Sequence, residues 1–206
     1  PSYASQWHLP QISAPLAWDV TKGNASTTIA IVDSGVDGTH PDLAPKLVAG
    51  WNFLGANSDT SDVLGHGSAV AGTAAAVTDN LSGRMMPLVV LNSSNYATYL
   101  DIANAIIYAA DHGVRVINVS IGGTSASSTL QSAVDYAWGK GAVVFAAAMN
   151  NNNSTPAYPA ACDKVIAVSA TDSSDAKASF SNYGTYIDLA APGTTILTTT
   201  RGGGYG

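Results

Sequence analysis

"TTIAIVD", residues 27–33, is the stretch on which the fold turns. Its apolar residues are consecutive rather than alternating, and it ends on a carboxylate, Asp33. A strand of that kind is buried on both faces, as the strands of a parallel sheet are. Five further runs read the same way: "MPLVVL" (86–91), "VRVINVS" (114–120), "AVVFAAA" (142–148), "KVIAVSA" (164–170) and "YIDLAAPG" (186–193). Between them lie helical patterns at 66–77, 98–113 and 128–141. In the second, Ile102, Ala105, Ile106 and Ala109 fall on one face and Gly113 supplies a stop. The third opens on Ser/Thr and closes on Gly. Strand–helix–strand alternation predicts an α/β fold: a doubly wound, mainly parallel sheet with helices on both faces. The arm 1–26 and the segment 50–65 are loop-rich, and residues 1–206 read as one domain.

Composition narrows the function classes. Hydrophobic residues make up 46% and charged residues 11%, far from the profile of a disordered chain. The net charge is −6, and the eight basic residues form no cluster, which argues against nucleic acid and against an anionic membrane surface. No apolar run approaches the roughly 20 residues that span a bilayer. The start, "PSYASQWHLPQ", carries neither a basic nor an apolar leader region, as expected of a processed secreted protein and equally of a cytoplasmic one. The single cysteine, Cys162, excludes an intrachain disulfide and reads as a small buried hydrophobe.

In doubly wound sheets ligands gather at the carboxyl ends of the strands. That rule singles out Asp33, Ser120 and Asn150. His66, in "LGHGSAVAGT" (64–73), stands between two glycines at a helix start, where the backbone can come close to another segment. A buried carboxylate on its Nδ1 would fix the tautomer and leave Nε2 as a base. His8 in the arm, His40 before Pro41 and His112 before a helix-stop Gly all have ordinary structural readings. Asn150, in "AAAMNNNN", is placed to donate to a developing oxyanion, although the stretch is also a simple polar turn.

Four segments in order, "IAIVDSGVDGTHPDL", "GHGSAVAGTAAA", "VINVSIGG" and "AAAMNNNN", resemble the subtilisin-like serine proteases, most of all the thermitase-type members. "APLAWDV", "AIIYAADHGV", "AVDYAWGKG" and "FSNYGTYIDLAAPG" extend the likeness over essentially the whole chain. The resemblance implies a secreted endopeptidase acting on proteins and peptides, with Asp33 as the triad acid, His66 as the base and Asn150 as the oxyanion donor. It implies that Ser120, Ile121, Gly122 and Gly123 pair with an extended substrate while Ala147, Ala148 and Met149 form the facing wall. It also implies a structural calcium ion, with Asp42 and Asn80 as ligands, and a propeptide or protein inhibitor as a further partner.

Three departures qualify the likeness. The family's Gly-Thr-Ser-x-Ala nucleophile motif follows the region matching "APGTTILTTTRGGGYG" (191–206), and the chain stops at Gly206. Ser125, in "GGTSAS", lies in the substrate strand and precedes Asn150, the wrong place for that nucleophile. The expectation is therefore that the serine-bearing C-terminal segment is missing from this chain, which alone would be inactive, and that an apolar face of the sheet is bare. The segment would then exist as a separate or lost piece; the alternative is a pseudoprotease that binds extended peptides. Second, several residues of the family's calcium loop are missing between Gly83 and Arg84, leaving fewer than the six to eight oxygens a hard cation takes. Third, Met149 stands where the family has glycine, which should reshape the primary specificity pocket.

Overall fold

The computed structural model describes residues 3–78 and 83–206. The N-terminal arm holds two short helices, α1 (His8–Gln11) and α2 (Ala14–Trp18). The first long strand, β1 (Thr28–Asp33), is followed by the two-residue β2 (Trp51–Asn52) and the helix α3 (His66–Val77). Then come β3 (Arg84–Val89), α4 (Tyr99–Asp111), β4 (Val116–Val119), α5 (Ser128–Gly139), β5 (Val143–Ala147), β6 (Val165–Thr171) and β7 (Leu189–Pro192). A small hairpin, β8 (Thr199–Thr200) with β9 (Gly204–Tyr205), closes the chain.

Seven strands form one sheet in the order β2-β3-β1-β4-β5-β6-β7, and every neighbouring pair is parallel. β1 lies between β3 and β4, so the winding reverses beside it. Asp33 thus ends a strand at the switch point, where a crevice opens between diverging connections. This is the doubly wound architecture expected from the alternation of apolar runs and helices.

Side chains alternate across the sheet. Ala30 and Val32 face one side, where α4 and α5 cover the strands with Ile102, Ile106, Leu130 and Val134. Ile31 faces the other side and packs with Met85, Val36 and Ala71 under α3. α3 is built from Gly, Ala, Ser and Thr, so it can lie close to the sheet; a Cβ on Gly72 would stand 2.1 Å from the Thr199 hydroxyl of the hairpin. The cover on this second face is uneven. Val116, Val143, Phe145, Ile166 and Val168 are only partly buried, and Leu189 is 51% exposed. Apolar side chains on this face of β4 to β7 are thus less fully covered than those under α4 and α5.

Candidate active site

The alternation that buries Ile31 under α3 also turns Asp33 to the same side. Asp33 is fully buried, and the Ser34 N–H donates to its Oδ1 at 2.7 Å. His66 is the first residue of α3, reached through Gly65 at φ +102°, a conformation that suits glycine. Its Nδ1 stands 2.8 Å from Asp33 Oδ1 and 2.9 Å from Oδ2. That carboxylate makes Nδ1 the protonated nitrogen and leaves the Nε2 lone pair free. The His66 side chain is 43% exposed while that of Asp33 is 0% exposed, so the base can be reached and the acid cannot. The hydrogen bond to Asp33 raises the His66 pKa above its ordinary value, against the opposing effect of burial.

His66 opens onto a cleft of about 730 Å³. Ser120, Ile121, Gly122 and Gly123 line one side of it, and Ala147, Met149 and Asn150 another. Asn118 Nδ2 donates to the Ser120 hydroxyl at 2.9 Å. Gly123 exchanges two backbone hydrogen bonds with Tyr158, at 3.0 and 2.7 Å. By strand alternation the N–H and C=O of Gly122 point the opposite way. The structure thus brings together all the residues expected at the site except Ala148, which is buried behind the wall, and the two metal candidates. Met149 takes φ +76°, the left-handed region that favours glycine, and its sulfur lies against Gly122.

Two buried residues that tie the site together escape a reading of the sequence. Asp62 is 7% exposed and ties the end of β1 to the start of α3 through Ser34 and Ser68. Asn182, also buried, fixes the turn that carries Asn150. Its N–H donates to Met149 O at 3.0 Å and its Oδ1 accepts from Asn151 N at 2.8 Å. Asp62 lies 28 residues from Ser34, and Asn182 lies about thirty from Met149 and Asn151; neither has a motif of its own, and the run "NYG" and the polar loop 57–62 give no local signal.

The other candidates take structural places. Ser125 is exposed on the cleft rim, and no hydrogen bond among the described residues joins it to His66. Burial pushes the Cys162 thiol up to about 11, far from a reactive thiolate. His40 Nε2 lies 2.9 Å from Gly204 O, and His112 Nδ1 lies 2.8 Å from Tyr108 O. Of the two calcium candidates, only Asp42 lies among the described residues, and Asn80 lies outside them. Asp42 Oδ2 accepts the Tyr205 hydroxyl at 2.6 Å. Among the described residues no group of three or more His, Cys, Asp or Glu could hold an ion.

A buried Asp at a strand end, bonded to a half-exposed His at a helix start beside an open cleft, forms the acid–base half of a hydrolase site. The family model described as "Subtilase family" (peptidase S8) matches residues 24–205, and the chain belongs to that family. It is 48% identical over 208 residues to thermitase of Thermoactinomyces vulgaris, covering 97% of this chain and 74% of that protein. It is 49% identical over 197 residues to the thermophilic serine proteinase of Bacillus sp. (strain AK1), covering 92% of this chain and 49% of the relative. Among solved structures it superposes on a cold adapted subtilisin-like serine proteinase with TM-score 0.81, 32% identity, and 89% and 69% coverage of the two chains. A lanthipeptide protease gives TM-score 0.87 at 26% identity, covering 94% and 67%. The chain is thus of the serine protease class, and it spans from about half to three-quarters of these relatives.

Proposed function

We propose that residues 1–206 form the larger part of one catalytic domain of a secreted endopeptidase that hydrolyses peptide bonds through an acyl-enzyme. The observation that carries this reading is the paired contact of His66 Nδ1 with Asp33, which leaves Nε2 at a cleft of about 730 Å³. Asp33 orients His66 and stabilises the imidazolium. His66 takes the proton of a serine hydroxyl as that oxygen attacks the substrate carbonyl, then returns it to the leaving amine. Asn150 and a backbone N–H hold the oxyanion. Gly122 adds the peptide as a further strand, and the walls read alternate side chains.

The nucleophilic serine lies on a segment beyond these 206 residues. Two observations support that: the partly exposed apolar face of β4 to β7, and the greater length of the relatives. The same segment would cover that face, since soluble proteins rarely leave so much contiguous apolar surface open. Protein and peptide substrates are the partners, with a propeptide or inhibitor occupying the same cleft. No step uses calcium. Among the described residues no helix is long and apolar enough to cross a membrane.

The test is peptide hydrolysis by the 206-residue chain, alone and with the serine-bearing segment supplied in trans or in line. The expected result is turnover only when the segment is present, and its loss in His66→Ala. Turnover by the chain alone, abolished by His66→Ala, would overturn the role given to the external serine.

A further inference from the structure

Asp62 is a carboxylate buried with five donors. Its Oδ1 accepts the Ser34 hydroxyl at 2.8 Å, Leu64 N at 3.0 Å and Gly65 N at 2.7 Å. Its Oδ2 accepts Ser68 N at 2.8 Å and the Ser68 hydroxyl at 2.6 Å. A buried carboxylate without such partners would be very costly, and five donors are more than a helix cap requires. Their arrangement has a further consequence. Ser34 follows Asp33; its N–H holds Asp33 Oδ1, and its hydroxyl oxygen accepts the N–H of Gly67 at 2.9 Å. Ser68 lies two residues after His66, and its hydroxyl oxygen accepts Asp37 N at 2.9 Å. One side chain therefore clamps both ends of the Asp33–His66 bond, the strand end through Ser34 and the helix start through Gly65 and Ser68.

We propose that Asp62 is a positioning residue for His66: it sets the imidazole in register with Asp33 and adds a second negative charge beside the base. This rests on the reading of Asp33 and His66 as acid and base. The charged groups around the network are Asp33, Asp62, Asp37, whose N–H meets Ser68, and, on the hairpin side, Arg201, whose Nη1 donates to the main-chain O of Asp62 at 3.1 Å. Burial pushes the Asp62 pKa up, but the hydrogen bonds from Ser68, Gly65, Leu64 and Ser34 outweigh it and hold the group below its ordinary value. It therefore stays charged wherever His66 titrates. The attraction of Asp62 for the His66 imidazolium acts in the same direction as that of Asp33.

The test is the NMR titration of the His66 ring in the 206-residue chain, with the signal assigned by its loss in His66→Gln. In Asp62→Asn the His66 pKa should fall by roughly half a unit to one unit, as expected for removing one nearby opposite charge. Ser34→Ala is the second variant, because it leaves every charge in place. It should leave the pKa within about 0.2 units while the Nδ1 proton exchanges with water at least ~10-fold faster, since the clamp on Asp33 is loosened. An unchanged pKa in Asp62→Asn, or unchanged proton exchange in Ser34→Ala, would overturn the proposal. If Asp62→Asn does not fold, the exchange rate in Ser34→Ala decides alone. Neither readout depends on hydrolysis, so a failure here leaves the protease reading standing. Loss of that reading would appear instead as hydrolysis indifferent to His66→Ala.

Discussion

One added methyl group tests how the site is assembled. Gly67 is the second residue of α3, and a Cβ built on it would stand 2.0 Å from Gly35 O, 3.1 Å from Gly35 C and 3.2 Å from Asp33 Oδ1. An ordinary carbon–oxygen contact begins near 3.4 Å, so the helix start and the turn after β1 must separate by about 1.4 Å. The obstacle is backbone on both sides. The two segments are also tied together, by Ser34 to Gly67 N and by Ser68 to Asp37 N. Gly67→Ala should therefore cost about 3 kcal/mol, the upper end for overpacking. For a domain of this size that lowers Tm by about 6–12 °C. The same displacement carries His66 away from Asp33, and a misplacement of ~1 Å costs on the order of 10²-fold in turnover. The assay is a circular-dichroism melt of the chain, paired with kcat of the serine-containing protein. Gly139→Ala is the control: its Cβ meets nothing within 4 Å at the exposed end of α5, and Tm should hold or rise. A fall of less than about 2 °C in Gly67→Ala with turnover intact would refute the claim that the dyad depends on this close approach.

Four other outcomes are expected. The raised His66 pKa places the acid limb of the pH–rate profile above about 6.5, because the base must be neutral, and Asp33→Asn should move that limb to lower pH. The stability that His66 gains from Asp33 is fully present below about pH 6.5 and is lost as pH rises through the raised value, so Asp33→Asn should cost more by thermal melt at pH 6 than at pH 9. Met149→Gly removes a side chain from a left-handed position, for a gain of about 1 kcal/mol in stability, and opens the cleft. Paired peptide substrates should then show at least a ~10-fold rise in kcat/KM for Phe over Ala at the cleavage position, and an unchanged ratio would remove Met149 from specificity. Thr98 caps α4 by accepting Asp101 N at 3.0 Å, so Thr98→Ala should cost about 1 kcal/mol in a denaturant titration.

The sheet is legible in the sequence because strands buried on both faces need continuous apolar residues, and little else uses them. The run 27–33 returns as Thr28–Asp33, and the helix at 66–77 as His66–Val77. The strand expected at 86–91 begins instead at Arg84, because its pairing with Thr28 and the bond from Arg84 N to Thr27 O extend the ladder into residues without a strand pattern. The loop-rich arm hides α1 and α2, helices of four and five residues that are too short to show a period. The hairpin β8–β9 is likewise invisible, yet it fastens α3 through the Thr199 hydroxyl to Ser68 O at 2.7 Å.

The candidate site divides in the same way. Asp33 and His66 are readable because each sits at an element boundary in a distinctive local sequence. Asp62 and Asn182 are not, because the bonds that join Asp62 to Ser34 and Asn182 to Met149 and Asn151 cross about thirty residues of chain and only the folded backbone makes them. Asp42 shows a contact of the same kind: its carboxylate accepts the hydroxyl of Tyr205, far along the chain, a bond that no local sequence announces.

The central claim is that Asp33 and His66 form a complete acid–base pair whose serine lies beyond residue 206. Intact mass after treatment with a serine-directed fluorophosphonate tests it directly. The 206-residue chain should gain no mass. The same chain extended by its serine-bearing segment should gain one phosphonyl group, and should fail to do so in His66→Ala. Stoichiometric labelling of the 206-residue chain, at Ser125 or any other serine, would contradict the account.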